Sequence, residues 1–339
     1  MPSILEAEDL VKKYGNLTAV DGVSFTVEEG EVFGLLGPNG AGKTTTISML
    51  TGVLEPTSGT ARIGGHDILA EEKAAKRLSG LVPQDLALYP TLSARTNLQF
   101  FGRIYGLHGR ELGERVDDLL AIVALSDRAN DPIEKYSGGM KRRINIAAGL
   151  VHQPRLLFLD EPTVGVDPQS RNHIFESVQR LNRERQMSII YTSHYMEEVE
   201  LLCNRVAIVD QGRIIAMDTI RNLIAMLGGG VIQIGIHGVD DGILAAIRAL
   251  PAVSDANLVA PPAPPIPPGT AAGEEEAAPM APAAPDGELV KIECKRSQDA
   301  LVQVFGLLGE RELSFTSVEI FEPNLESVFL HLTGKKLRE

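Results

Sequence analysis

Apolar residues alternate with acidic ones from Ile4 to Leu10, and a second alternating stretch runs from Ala19 to Val27 before Glu29-Gly30. Period-two patterns of this kind predict strands with one buried face. Continuous apolar runs at Val32–Leu36, Leu156–Leu159 and Met187–Thr192 predict strands covered on both faces, as in a parallel sheet. Helical spacing predicts helices over Thr45–Leu50, Ser93–Gly106, Glu111–Leu125, from Tyr136 to about Val151, and over Gln169–Glu184. The two around residue 100 form a helical layer inserted into an α/β core. Ala61–Ile68 reads as a short strand pair about Gly64-Gly65, and a hairpin closes around Asp210-Gln211-Gly212 between Arg205–Asp210 and Arg213–Met217.

Beyond Thr219 the pattern changes. Strands are expected at Val231–Ile236, Val253–Leu258, Leu289–Cys294 and Ser314–Ile320, with helices at Gly242–Leu250 and Gln298–Leu308. This is a small two-layer α+β unit. A segment from Ala260 to Asp286 divides it and holds nine of the chain's twenty prolines together with Glu274-Glu275-Glu276. Such a composition cannot bury a core and is expected to be disordered. The tail Pro323–Gly334 reads as an amphipathic helix capped by Asn324. Two domains follow, 1–218 and 219–339, the second interrupted at about 260–287.

Composition narrows the function classes. The 339 residues carry a formal charge of −13, a poor match to a nucleic-acid partner. Aromatics are 5% and Trp is absent, so no base-stacking surface is indicated. Tyr89, Phe100, Phe101 and Tyr105 cluster about the helical layer, where core packing accounts for most of them and a docking surface for one or two. Cys203 and Cys294 form no C-x-x-C pair and read as buried free thiols. No apolar run approaches the ~20 residues that span a bilayer. Met1–Glu6 has neither a basic start nor an apolar segment, so the chain is expected in the cytoplasm, any membrane role coming through a partner.

The chemistry begins between the run Val32–Leu36 and the helix at Thr45. Gly37-Pro38-Asn39-Gly40-Ala41-Gly42-Lys43-Thr44 has the spacing glycine, four residues, glycine, lysine, hydroxyl. In a strand-loop-helix setting this is a phosphate-binding loop. Its glycines let backbone amides approach a polyphosphate, and the helix N-terminus adds partial positive charge. Lys43 reaches the β- and γ-phosphates, and Thr44 can ligate Mg²⁺. Ser137-Gly138-Gly139 is a second anion site, an N-cap serine with two glycines at a helix start; the Lys141-Arg142-Arg143 run after it reads as a solvated helix face. Asp160-Glu161 end the strand at Leu159, where ligands bind at parallel sheets. The first suits Mg²⁺, the second a water-activating base. His194 ends another strand on the same side. Gln84 at a strand end can contact metal or water, or be plain polar surface. Tyr14 can stack on an adenine, or be an exposed aromatic at a strand end.

This succession of motifs, over roughly Leu5 to Met217, resembles the nucleotide-binding subunit of ATP-binding cassette (ABC) transporters. The resemblance implies a P-loop fold of RecA-like core, antiparallel β subdomain and helical subdomain. It makes Tyr14 the adenine-stacking aromatic, Gly37–Thr44 with Thr45 the Walker A segment, Gln84 the Q-loop glutamine and Ser137-Gly138-Gly139 the signature. It makes Asp160 the Walker B aspartate, Glu161 the catalytic glutamate, Asp167 the D-loop aspartate and His194 the switch histidine. Lys43, Gln84, Glu161 and His194 then act in catalysis, and Thr44, Gln84 and Asp160 hold the metal. Tyr136 and Met140 depart from the usual Leu and Gln of the signature, and Thr96 replaces a glutamate often seen before Asn97-Leu98.

The stretches Asp160–His173 and Tyr191–Glu198, and the tail after Pro323, are similar to the drug- and antibiotic-export branch, including linearmycin- and daunorubicin-resistance type subunits. The implied protein is an ATPase using ATP and Mg²⁺, paired head to tail with a second such subunit and docked on a separate transmembrane permease at the cytoplasmic face, with no nucleic-acid partner. A soluble ABC ATPase acting on ribosomes or DNA, and an importer motor, are the competing readings.

Overall fold

The computed structural model describes residues 2–259 and 288–333; the Pro/Ala-rich segment expected to be disordered lies outside them. In chain order the elements are β1 (Ser3–Tyr14), β2 (Leu17–Glu28), β3 (Val32–Leu36), α1 (Lys43–Leu50), β4 (Ser58–Ile63), β5 (His66–Asp67), α2 (Glu72–Leu78), β6 (Ser79–Val82), α3 (Ala94–Ile104), α4 (Gly109–Ile122), α5 (Gly138–Gly149), β7 (Leu156–Asp160) and α6 (Pro168–Arg185). They continue with β8 (Ser188–Ser193), α7 (Met196–Leu202), β9 (Arg205–Asp210), β10 (Arg213–Thr219), α8 (Ile220–Ala225), β11 (Val231–Ile236), α9 (Asp241–Arg248), β12 (Val253–Val259), β13 (Glu288–Cys294), α10 (Ser297–Glu310), β14 (Phe315–Phe321) and α11 (Leu325–Thr333).

The chain falls into two compact units, the second spanning Ile224–His331. In the first, a six-stranded sheet has the order β10-β9-β3-β8-β7-β6. From β9 to β6 every neighbouring pair is parallel, and β10 adds an antiparallel edge. The predicted two-sided burial holds: each residue of β3, β7 and β8 is buried. A second sheet, β2-β1-β4-β5, is antiparallel. Phe33, Leu35, Phe158 and Ile190 from the parallel strands share one core with Leu5, Leu10, Phe25 and Ile63 from this sheet. The opposite face of the parallel sheet, with Leu157, Leu159 and Ile189, packs on Leu98, Val116, Leu120 and Ile144 of the helices. The parallel strands are therefore sandwiched, which is why their sequences run apolar without alternation.

Two expectations change here. Arg142 and Arg143 are buried, not solvated, and only Lys141 of the run keeps partial exposure. Their guanidinium groups fill carbonyl acceptors that helices and strands leave open: Arg143 Nη1 donates to Val123 O at 2.9 Å, just past the end of α4. The aromatics near α3 are mostly surface residues: Tyr89, Phe100 and Tyr105 are exposed while Phe101 packs on the core. Tyr89 and Phe100 meet edge to face outside it.

The second unit has four antiparallel strands in the order β12-β13-β11-β14, a split β-α-β arrangement with α9 and α10 as the crossovers. Ile232, Ile234 and Ile236 alternate toward its core with Val290 and Ile292, against Ile243, Ile247, Val304 and Leu308 of the helices. Asn324 caps α11 by accepting from the Ser327 amide.

Candidate active site

The loop after β3 owes its shape to one positive φ and one close approach. Gly42 has φ +103°, and a Cβ there would stand 2.6 Å from Ala19 O. Only glycine meets both conditions. The loop opens α1, whose first residue, Lys43, is buried. Lys43 Nζ donates to Gly37 O at 2.8 Å and Pro38 O at 3.1 Å, and pairs with Glu161 Oε1 at 3.1 Å. The lysine is thus curled over its own loop, against the carboxylate at the end of β7.

Asp160 and Glu161 take different environments. Asp160 Oδ1 accepts from Thr192 Oγ1 at 2.7 Å and from Thr44 Oγ1 at 3.3 Å. Burial pushes its carboxyl above the ordinary aspartate range, against the opposing pull of those two hydroxyls. Glu161 sits in the left-handed region with φ +44°, uncommon for a residue with a side chain. Its amide donates to Thr192 Oγ1 at 2.8 Å, so one hydroxyl on β8 fixes both acids. The turn of the backbone at Glu161 sends the second carboxylate away from the first and toward Lys43. His194 Nδ1 lies 3.4 Å from Glu161 Oε2 and makes no hydrogen bond.

A cleft of about 520 Å³ opens here. It is lined by Ala19, by Asn39, Gly40, Gly42, Lys43, Thr44 and Thr45 of the loop and α1, and by Gln84, Glu161, Val164, His194 and Tyr195. Thr44 and Asp160 present hard oxygen donors side by side, the donor type that suits Mg²⁺, and Gln84 adds a third oxygen on the cleft wall. Among the described residues no group of three or more His, Cys, Asp and Glu side chains stands together as a metal cluster.

The remaining predicted residues stand elsewhere. Tyr14 ends β1, exposed, with Lys12 Nζ 5.4 Å from its ring centroid, and is not on the cleft wall. Ser137 and Gly138 are exposed at the start of α5 and also lie off the wall; Ser137 Oγ accepts from the Met140 amide. Gly139 is buried, and a Cβ on it would meet Ser170 at 2.1 Å. Asp167 is exposed at the N-cap of α6, where its Oδ1 accepts from Ser170 N at 2.9 Å; that bond and its neighbours hold its carboxyl below the ordinary range. Tyr136, which stands for the usual Leu, is buried with its hydroxyl bonded to Arg128 O, so the larger residue is accommodated by the core.

Three residues of the site were not singled out by sequence. Thr192 looks like one more member of an apolar strand; its signal is a hydroxyl at the strand's last turn before His194. Arg142 Nη1 donates to Pro83 O at 2.7 Å, and Nη2 to Gln84 O at 2.8 Å and Glu161 O at 3.0 Å. One guanidinium therefore ties the peptides of two site residues together. Its signal is phase, since Arg142 falls three residues after buried Gly139 and three before buried Asn145 on α5. Tyr195, on the cleft wall, stacks obliquely on His194 with centroids 4.0 Å apart.

Comparison with known proteins bears on the same residues. Residues 20–164, holding the loop, Ser137–Gly139 and both acids, match the family model described as ABC transporter. The chain is 47% identical to the linearmycin resistance ATP-binding protein LnrL of Bacillus subtilis (strain 168), over 99% of this chain and 100% of that protein. It is 35% identical to the daunorubicin resistance ATP-binding protein DrrA3 of Streptomyces coeruleorubidus, over 96% and 95% of the two chains. The solved structure of cbiO1 from Clostridium perfringens, part of the ABC transporter complex cbiONQ, superposes with a TM-score of 0.62 at 29% identity, covering 66% of this chain and 92% of that one. Among the described residues no helix is long and apolar enough to cross a membrane. The chain belongs to the ATP-binding subunits of ABC transporters and is an ATPase of the drug-export branch.

Proposed function

We propose that this subunit drives export of a drug-like or lipid-like compound through a separate membrane permease, working as a head-to-tail pair with a second cassette. The observation that carries the ATPase chemistry is the convergence of Lys43, Thr44, Glu161 and His194 on one cleft at the C-terminal edge of the parallel sheet, with Asp160 behind it bonded to Thr44. Exposure of Ser137 and Gly138 away from that cleft supports pairing, because their hydroxyl and amides then face a nucleotide held by another subunit. The relatives named for linearmycin and daunorubicin resistance support the export reading and the substrate class. Residues 219–339 form the accessory domain in this reading.

The polyphosphate of ATP lies along the Gly37–Thr45 amides, and its terminal oxygens take Lys43 from Gly37 O, Pro38 O and Glu161. That exchange releases the Glu161 carboxylate to orient and deprotonate the attacking water. His194, 3.4 Å from Glu161, is placed to hold the γ-phosphate as charge develops. Thr44, Asp160 and Gln84 are the residues that would hold Mg²⁺, which, when bound, screens the phosphate charge. Glu161→Gln tests the scheme: ATP affinity is retained within a few-fold, turnover falls on the order of 100-fold or more, and an ATP-bound dimer accumulates in size-exclusion chromatography. Rapid hydrolysis by that variant overturns the assignment. A pull-down in mild detergent that returns ribosomal proteins and no polytopic membrane protein overturns the export reading while leaving the chemistry intact.

A further inference from the structure

Glu198, in the first turn of α7, is 2% exposed and has no part in the scheme above. Its Oε2 accepts three hydroxyl hydrogen bonds: from Thr163 Oγ1 at 2.8 Å, Tyr191 OH at 2.8 Å and Ser193 Oγ at 3.0 Å. Its Oε1 makes no hydrogen bond and has Arg171 Nε at 3.6 Å. A buried acceptor with this many donors is costly to assemble and costly to lose, so its partners deserve an account beyond packing.

Those partners belong to the two segments that must act together. Ser193 precedes His194, and while donating to Glu198 its Oγ also accepts from the Tyr195 amide at 2.9 Å. The Ser193 side chain before His194 and the Tyr195 amide after it are thereby linked to one carboxylate. Arg171 gives a second route to the same histidine. Its guanidinium lies 5.2 Å from the Tyr195 ring centroid, and that ring contacts His194. On the other side, Thr163 is two residues beyond Glu161, and the Arg171 amide donates to Asp167 O at 2.9 Å.

We propose that Glu198 is a positioning residue that couples the segment from Thr163 to Arg171, which carries Asp167, to the placement of His194. The carboxylate holds the two segments in one register, so a movement of the Asp167 segment on pairing with a second subunit is delivered to the histidine beside the γ-phosphate. This rests on the ATPase reading above.

The test uses the full chain and steady-state phosphate release. In Glu198→Gln, kcat falls about tenfold while the ATP KM and nucleotide affinity stay within about twofold, because the loop that binds phosphate is untouched. Ser193→Ala lowers kcat in the same way. The double variant is no slower than the slower single one, the sign that both act through one connection. If kcat of Glu198→Gln stays within twofold of the unmodified protein, if affinity falls in step with kcat, or if the two losses multiply, the proposal is overturned. Should Glu198→Gln fail to fold, Thr163→Val and Ser193→Ala are read instead: a fall in kcat at constant affinity in both supports the coupling, and its absence in either overturns it. An unmodified chain with no ATP turnover would sink the underlying reading; normal turnover in the unmodified chain and in Glu198→Gln sinks this inference alone.

Discussion

The two units of the chain bury different kinds of side chain. Among the described residues, every buried Asp, Glu, Lys, Arg, Asn, Ser and Thr precedes Leu223; Lys43, Arg142, Asp160, Glu161 and Glu198 are the charged examples near the cleft. Between Ile224 and His331 there is none, and the core is Ile, Val, Leu and Ala with Cys294. Burying charge costs free energy that an apolar core never incurs. A unit that carries so much of it does so for chemistry or for the register of chemical groups, whereas the described core of the second unit is apolar. The contrast places the buried charges around the cleft in the first unit.

The sharpest way to break that contrast is to remove one buried charge without changing shape. Asp160→Asn keeps an oxygen for Thr192 and Thr44. Because burial already raises the Asp160 carboxyl, deleting the charge leaves stability unchanged or higher at neutral pH. Turnover nevertheless falls on the order of 100-fold or more, since the negative carboxylate that would hold the cation is replaced by a neutral amide. A variant that loses stability and keeps turnover would make Asp160 a structural residue.

The mirror experiment is Ile234→Ala in the second unit. Ile234 is fully buried in the apolar core, and the truncation costs about 3 kcal/mol of that unit's stability. Nucleotide affinity should move less than twofold when measured below the unfolding transition. A tenfold loss of affinity would show that the second unit shapes the cleft.

Arg142→Met should fall between the two. The apolar stem is kept, but Pro83 O, Gln84 O and Glu161 O lose their common donor, a loss of about 2 kcal/mol in stability. Turnover drops as well, by a factor of about ten, because the Gln84 and Glu161 peptides are no longer tied. Chemical denaturation and phosphate release on the same preparation separate the two effects; unchanged kcat would restrict Arg142 to stability.

These residues also show what a sequence makes legible. The phosphate loop and the acids at Asp160-Glu161 could be read because they are contiguous and sit where apolar runs end, so local pattern and site coincide. The parallel strands were legible for the same reason. Arg142, Thr192 and Glu198 were not, since each does its work through partners far along the chain: Pro83 for Arg142, Asp160 for Thr192, Thr163 for Glu198. The Lys141-Arg142-Arg143 run misleads because charge usually marks a wet helix face. Here the carbonyls open at Pro83, Gln84 and Val123 supply the partners that let two guanidiniums be buried. Ser137 and Asp167 were legible as motif positions, but their distance from the cleft is a fact of folding that only a second subunit would give a purpose.

The smallest effect expected is a pH dependence at one histidine of the first unit. His152 stacks on Tyr105 with ring centroids 3.8 Å apart, and its Nε2 donates to Ser79 O at 2.8 Å. Its Nδ1 is buried without a partner, so a proton there would have nothing to bond. Burial accordingly holds the imidazole below the ordinary histidine pKa of 6.5, the Ser79 bond opposing it. The unfolded chain then takes up a proton before the folded one, and stability is lost as pH falls from about 6.5 toward the lowered value, at no more than about 1.4 kcal/mol per pH unit. His152→Gln keeps a donor within reach of Ser79 O and cannot titrate. It should be less stable than the unmodified chain at pH 7.5, and that deficit should shrink toward pH 5 in denaturant titrations. Parallel stability curves for the two proteins from pH 7.5 to pH 5 would show that His152 titrates normally and that the buried polar groups of the first unit do not all carry a charge-state cost.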